Sequence, residues 1–308
     1  MTARSLRHRL FATGAVLVAG SLSLTACGSS GSSASSAPNP TVSVNAATAD
    51  SSLTALVPAD VKSKGKLVVG ADASYAPNEF KDDKGNVVGM DVDLADAIAA
   101  KLGLKAEVQN SKFTAIIPGI AAKKFDLGMS SFTDSKEREQ QVDMITYFSA
   151  GTSVAVKAGN PDKISADDLC GKKVAVQTGT VQSDEVKDKR NPDCKKAGKP
   201  TIPNDGDKYD LQTDVNNALV SGRDQVMMAD SPVVDYAIKQ SAGQLEKIGE
   251  TYDSAPYGIV VSKGSPLAKA IQGALTALIS DGTYKQILQK WGVESGAIDK
   301  SVINGATS

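Results

Sequence analysis

Histidine is almost absent from this chain. The only one, His8, lies in a basic N-terminal stretch, and the 300 or so residues after it hold none. Without histidine there is no Ser-His-Asp or Cys-His triad, and most zinc sites lose their commonest ligand. No catalytic residue, metal or cofactor is therefore expected. Charge of one sign is also lacking, since the formal net charge is −1. Such a balance argues against nucleic acid as a partner. A long apolar run is missing too: residues 10–24 form an apolar stretch interrupted only by Gly, Ser and Thr, too short to span a membrane comfortably.

That stretch follows Arg4, Arg7 and Arg9 and has the form of a secretory signal. It ends in Leu24-Thr25-Ala26-Cys27, which resembles the bacterial lipobox. Residues 1–26 are expected to be a lipoprotein signal peptide and Cys27 the lipidated (palmitate-bearing) residue; ordinary cleavage near a cysteine is the alternative. Removing the three arginines takes the formal charge from −1 to −4. Residues 28–40 contain only Gly, Ser, Ala, Pro and Asn. Such a segment has too little apolar surface to offset the entropy of ordering, and residues 27–59 read as a flexible tether. Cys170 and Cys194 remain as a candidate disulfide for an oxidising compartment, closing a loop of about 25 residues worth roughly 3 kcal/mol, with two free thiols as the alternative.

The folded part, residues 60–300, alternates apolar strands with amphipathic helices. Strands are expected at 67–70, 105–109 and 125–130, and helices at 91–102 and 114–124. Leu94, Ile98 and Leu102 share one helix face, Gly103 stops that helix, and Pro118 bends the second helix or resets its start. The order βαβαβ implies a mainly parallel sheet with helices on both faces, and ligands at the carboxyl ends of its strands. A second unit has strands at 172–177 and 224–229, a polar helix after Gly179-Thr180, a helix at 211–220 and another opened by Ser231-Pro232. Residues 185–208 read as an exposed excursion, and helices return at 267–279 and 284–291. The stretches 148–157 and 251–263 read as a two-stranded hinge. Lobe 1 would then hold 60–153 and 256–300, lobe 2 would be inserted as 154–255, and 301–308 would be a tail.

The segment Met129 to Arg138 carries hydroxyls at Ser130, Ser131 and Thr133 after a strand, then an arginine where a helix begins. Arginine offers a carboxylate two parallel donors, although a capping turn with a solvated arginine would read the same way. Tyr75 follows the first strand of lobe 1, Gly179-Thr180 the first strand of lobe 2, and Asp230 ends a strand of lobe 2. Arginine and aspartate from opposite lobes, with hydroxyls between them, suit a zwitterion such as a free α-amino acid.

These segments together resemble the family 3 extracellular solute-binding proteins, which feed polar amino acids to ABC importers. The resemblance covers residues 63–295. It rests on Gly65-Lys66-Leu67-Val68-Val69-Gly70, Tyr75-Ala76-Pro77, Gly89-Met90-Asp91-Val92-Asp93-Leu94-Ala95, Ile116-Ile117-Pro118 and Phe125-Asp126. It continues through Ser130 to Arg138, Gly171-Lys172-Lys173-Val174, Gly179-Thr180 and Ala229-Asp230-Ser231-Pro232. The fold it implies is α/β, two-lobed and periplasmic-binding-protein-like (type II), each lobe a mainly parallel sheet flanked by helices, with a two-stranded hinge.

The resemblance also implies roles. Arg138 would clamp the ligand carboxylate with backbone N–H groups of Thr180 and Val181. Asp230 would accept from the α-ammonium, with Thr133 and the Ser130–Ser131 region at the same end. Tyr75 would stack over the ligand, and Phe113 would line the apolar wall or serve the core. Asn78 stands where many members have Phe, and Val181 where many have Thr or Ser; Asn78 is expected to touch the pocket and alter selectivity. Asp72, Glu79 and Gln177 are further candidates for the side-chain end, each equally readable as structural. The implied protein is a monomeric binding lipoprotein on the outer face of the bacterial cell membrane, with an amino acid as ligand and ABC permease subunits as partners. The alternative is a cleft enzyme of the same scaffold, a cyclic-acid dehydratase.

Overall fold

Strand-forming runs at both ends of the chain meet in one sheet, because two long strands carry the backbone from one half of the molecule to the other. The computed structural model describes residues 43–307, all within one unit, Ala34–Ser308. Cys27 and the expected signal peptide lie outside the described residues. In chain order the strands are β1 (Lys66–Ala71), β2 (Ser74–Tyr75), β3 (Glu79–Lys81), β4 (Val87–Val88), β5 (Lys105–Asn110) and β6 (Leu127–Gly128). They continue as β7 (Val142–Lys157), β8 (Val174–Gln177), β9 (Asp207–Tyr209), β10 (Val226–Asp230) and β11 (Leu245–Ser262).

The main sheet has eight strands in the order β5-β1-β6-β11-β7-β10-β8-β9, and β2-β3-β4 form a separate small sheet. Strands β5, β1 and β6 run parallel, as do β10, β8 and β9. Between these two parallel halves lies the antiparallel pair β7/β11, whose register shifts between Ile248 and Tyr252 and again between Tyr252 and Ala255. The stretches expected as a short hinge are thus parts of two strands that run through both halves. The irregular pairing falls opposite Ala150–Thr152, where the halves join.

Each half buries both faces of its sheet. In the first, Leu67, Leu94, Ile98, Ile271, Leu275 and Leu288 pack on one side, and Ile116, Ile120, Phe125, Phe132 and Val260 on the other. In the second, alternate residues of β10 divide between two cores: Met227 and Ala229 join Val215 and Leu219, while Val226 and Met228 join Val174 and Val176. Period-two alternation with both faces covered explains why this strand reads as a continuous apolar run. The helix Met90–Lys101 carries Asp91 and Asp93 in its first turn and Lys101 in its last, each complementing the helix dipole. The helix Phe113–Ala121 runs on through Pro118, which removes only one intrahelical bond from a short helix.

One expectation needs correction and two gain detail. The tether does not extend to residue 59: Ser51–Thr54 and Ala59–Lys64 are helical, Val57 and Val61 are buried in the first core, and Asn45 N donates to Gln286 Oε1 at 2.8 Å. A few spaced apolar residues suffice there because a preformed helical surface receives them. The tail is also pinned, with Val302 N donating to Thr146 Oγ1, Asn304 Nδ2 to Asp143 Oδ1 and Gly305 N to Asp134 Oδ2. The stretch 185–208 is exposed over much of its length but not irregular, since it contains a π-helix, the helix Asn191–Lys196 and the edge strand β9. Its buried Asn191 pairs with both the N–H and the carbonyl of Ile202, standing in for a backbone partner. Cys170 and Cys194 form a disulfide, with Cα atoms 5.6 Å apart. No helix among the described residues is long and apolar enough to cross a membrane.

Candidate functional site

The carboxyl ends of β1 and β6 deliver Asp72 and Ser130 to the same point. Asp72 N donates to Ser130 Oγ at 2.9 Å, fixing the two loops together. The Asp72 carboxylate then accepts from Ser74 Oγ at 2.6 Å and from Phe113 N, at the start of a helix, at 3.0 Å. Gln177, at the end of β8 in the other half, reaches across and donates Nε2 to Asp72 Oδ2 at 3.0 Å. Burial raises the Asp72 carboxyl above its ordinary range, and these three donors oppose that shift.

Arg138 comes from the short helix Lys136–Glu139, which Ser135 caps through its Oγ. Its Nη1 donates to Thr133 O at 2.8 Å and its Nη2 to Gly179 O of the other half at 3.1 Å. The guanidinium carbon lies 5.6 Å from the Phe113 ring centroid and 5.5 Å from that of Phe132, and the two rings stack at 4.4 Å. These flat faces and carbonyls set the guanidinium plane. Burial pulls Arg138 below the ordinary arginine value, and the carboxylates of Asp230 and Asp184 oppose it.

Asp230 faces the cavity from the end of β10. Its Oδ1 accepts from Gln182 Nε2 at 2.8 Å and its Oδ2 from Tyr257 OH at 2.7 Å, while its own N–H donates to Tyr75 OH at 3.3 Å. Burial raises its carboxyl, and Tyr257, Gln182, Tyr75 and Arg138 all resist that shift. Thr180 caps the helix Val181–Glu185 by accepting from Ser183 N, and the first N–H groups of a helix have no intrahelical acceptor.

These groups line a narrow cleft with about 290 Å³ between its walls, counting space open to solvent; the lining is Tyr75, Phe113, Ser130, Ser131, Thr133, Arg138, Thr180, Val181 and Asp230. Asp72, Glu79 and Gln177 also line it, so the structure brings all three further candidates to the wall. Asn78 does not line it, which corrects the expectation that it touches the pocket. It is fully buried, and its Nδ2 donates to Ser131 Oγ at 2.9 Å from behind the wall. The turn that bonds Asn78 N to Tyr75 O directs the side chain inward.

One lining residue escaped the sequence reading. Gln182, 1% exposed, donates Nε2 both to Asp230 Oδ1 and to Thr152 Oγ1 at 3.0 Å. Its place in the first turn after Gly179-Thr180 was the available signal. Asp91 and Tyr147 form a second layer: Asp91 Oδ2 accepts from Tyr147 OH at 2.8 Å and from Ser131 N at 3.1 Å. Gly89, at φ 143°, lets the chain pass against the Asn78 backbone and brings Asp91 up behind Ser131.

Residues 67–294 match the family model of the bacterial extracellular solute-binding proteins, family 3. The arginine-binding protein ArgT of Corynebacterium glutamicum is 36% identical over 251 residues, covering 81% of this chain and 82% of its own length. An ancestral arginine-binding protein solved with arginine bound is 39% identical, with a TM-score of 0.67 over 74% of this chain and 98% of that one. The ancestral amino acid-binding protein AncCDT-1, described as a precursor of cyclohexadienyl dehydratase, is 33% identical, with a TM-score of 0.67 over 75% of this chain and 97% of its own. The architecture is that of the two-lobed type II periplasmic-binding-protein-like fold.

Proposed function

The chain belongs to the bacterial extracellular solute-binding proteins, family 3, and from that premise we propose that it captures a cationic α-amino acid, arginine foremost, between its lobes. The observation that carries this reading is the charge of the cavity. A single guanidinium, Arg138, faces the carboxyl groups of Asp72, Glu79 and Asp230. Arg138, with the N–H groups of Thr180 and Val181, holds the ligand carboxylate; Asp230, Ser130, Ser131 and Thr133 receive the α-ammonium. Tyr75 and Phe113 flank the aliphatic part. Asp72 then remains to pair with a cationic side chain, and arginine is what two of the similar proteins are named for.

Binding a ligand at a hundred times its dissociation constant stabilises the folded state by about 2.7 kcal/mol. A thermal-shift screen of amino acids followed by calorimetry tests the assignment. Arginine and lysine are expected to shift the melting temperature, with citrulline, which keeps the shape and loses the charge, far weaker. A neutral amino acid bound as tightly as arginine would overturn the cationic reading. Recovery of the bound ligand unchanged after long incubation separates binding from the dehydratase alternative.

The delivery route completes the proposal. A signal peptide at 1–26, a lipid on Cys27 and a tether from there to the first described residues would hold the lobes at the outer face of the cell membrane, where closed, loaded protein meets permease subunits. The limits 60–153 with 256–300, and 154–255, are the proposed lobes, with residues from 43 and the pinned tail added to the first. Cys27→Ser is expected to release the protein from membranes with no change in ligand affinity.

A further inference from the structure

Glu79 at the cavity wall and Asp91 behind it are both buried, with no cation among the described residues to balance them. Glu79 is 0% exposed and Asp91 1%, and neither forms an ion pair with a lysine or arginine among the described residues. The donors around them can be followed bond by bond. Ser130 Oγ accepts from Asp72 N and donates to Glu79 Oε1 at 2.8 Å. Ser131 Oγ accepts from Asn78 Nδ2 and donates to Glu79 Oε2 at 3.2 Å. Tyr147 OH and Ser131 N serve Asp91 Oδ2. That leaves Asp91 Oδ1 buried with no donor, while Ser131 bonds both carboxyl groups, through its N–H to Asp91 Oδ2 and its Oγ to Glu79 Oε2. Two ionised carboxylates in a dry site would repel each other and leave that oxygen orphaned. A single proton between them removes both problems.

We propose that Glu79 is held as the neutral acid, donates its proton to Asp91 Oδ1, and acts as a positioning residue that turns Ser130 and Ser131 into acceptors toward the ligand. Each serine hydroxyl has one proton, and both protons are committed to Glu79. What these hydroxyls offer the cavity is therefore a lone pair. A wall of acceptors receives an ammonium and rejects a carboxylate, which orients an amino acid with its carboxylate toward Arg138. A neutral Glu79 also leaves Asp72, Asp230 and Arg138 as the charged lining, the complement of a ligand with one net positive charge. This orientation rests on the amino-acid reading above; the proton on Glu79 does not.

The groups facing Glu79 are Asp91 and Asp72, with the phenols of Tyr147 and Tyr75 near enough to feel its charge. Burial first, and then the charge of Asp91, drive Glu79 well above the ordinary carboxyl range. Asp91 is pushed up to about 6 by burial, with Tyr147 and Glu79 opposing. The buried pair therefore keeps one proton at neutral pH, with Asp91 Oδ1 the oxygen that otherwise has no donor.

Glu79→Gln separates a neutral donor from an ionised counter-charge. Glutamine can donate Nε2 to Asp91 Oδ1 and keep one serine bond, whereas leucine can do neither, so Glu79→Gln is expected to retain at least about tenfold more arginine affinity than Glu79→Leu. Equal losses in the two variants would overturn the proposal, because a neutral hydrogen-bonding side chain would then restore nothing. A ligand-free measurement judges the proton by itself. If Glu79 takes up a proton on folding, the folded state loses stability as pH rises above the ordinary glutamate range, by up to about tenfold in the unfolding equilibrium per pH unit. That dependence is expected in the wild type and reduced in Glu79→Gln; identical dependence in the two would overturn the proposal. Should the variant not fold, the wild-type chain at pH 7 is expected to show the infrared carbonyl band of a protonated carboxyl, and its absence would be equally decisive. Failure of the wild type to bind any amino acid would remove the functional reading and leave the two proton measurements standing.

Discussion

Gln177 Nε2 donates to Asp72 Oδ2 at 3.0 Å, and this bond joins the two lobes across the cavity wall. The same amide also donates to Asp210 O at 3.1 Å, which holds the side chain in its reaching conformation. Gln212 N bonds Ser74 Oγ at 3.0 Å nearby, so the Asp72 corner carries several of the contacts that keep the lobes together. A hydrogen bond to a charged group is worth about 1.5–3 kcal/mol. Gln177→Ala is therefore expected to speed ligand release by about tenfold or more, with a smaller change in the association rate. Stopped-flow kinetics check this, and an unchanged dissociation rate would remove Gln177 from the closing contacts.

Arg138 is held by Thr133 O in one lobe and Gly179 O in the other, with two aromatic rings against its plane. Removing one partner of a buried charge pair costs about 3–5 kcal/mol, because the remaining charge stays unpaired. Arg138→Ala should thus lower ligand affinity by several hundredfold or more, measured calorimetrically, while the circular-dichroism melt of the unliganded chain changes little. Arg138→Lys should not restore binding, since an ammonium cannot serve two carbonyls and a carboxylate in one plane.

Much of this site could be read from the chain because its residues follow directly on strands. Asp72, Ser130, Gln177 and Asp230 each stand at or just beyond a carboxyl end, where an α/β sheet places its ligands. The second layer was not legible. Asn78, Asp91 and Tyr147 converge on Ser131 from three separate elements, and no spacing along the chain encodes that meeting. Asn78 was misread because its distance in sequence from Tyr75 says nothing about which way a tight turn sends its side chain. The docking of residues 43–57 was equally hidden, since Asn45 finds its partner in Gln286. Such long-range pairing leaves no local period.

The disulfide lies in the second lobe and neither cysteine lines the cavity. It spans a sequence separation of 24 residues and anchors the buried Cys194 of the helix Asn191–Lys196. In the chain-entropy model a loop of that size contributes about 3 kcal/mol. The pair of substitutions Cys170→Ser and Cys194→Ser should lower the denaturant midpoint by a corresponding amount and leave arginine affinity within about twofold, as expected for a constraint that acts mainly on the unfolded chain. A large loss of affinity with unchanged stability would contradict that separation of roles.

Asp134 connects the loop that carries Arg138 to the pinned C-terminal segment through Gly305 N at 2.8 Å. Burial pushes its carboxyl up to about 6, the Gly305 N–H opposes, and the neighbouring Glu139 carboxylate adds to the rise. A group raised in the folded state binds its proton more tightly there than in the unfolded chain. Its contribution to stability is full below the ordinary aspartate value and is lost as pH rises through about 6. Asp91 titrates in the same window, so the unliganded protein should become less stable between pH 4 and pH 7, with Asp134 contributing on the order of 1–3 kcal/mol. Asp134→Asn keeps an acceptor for Gly305 and a donor for Glu139 but cannot ionise. Chemical denaturation across that range should then show a flatter profile and a variant at least as stable as wild type at pH 7; a profile as steep as wild type would mean that Asp134 holds no extra proton.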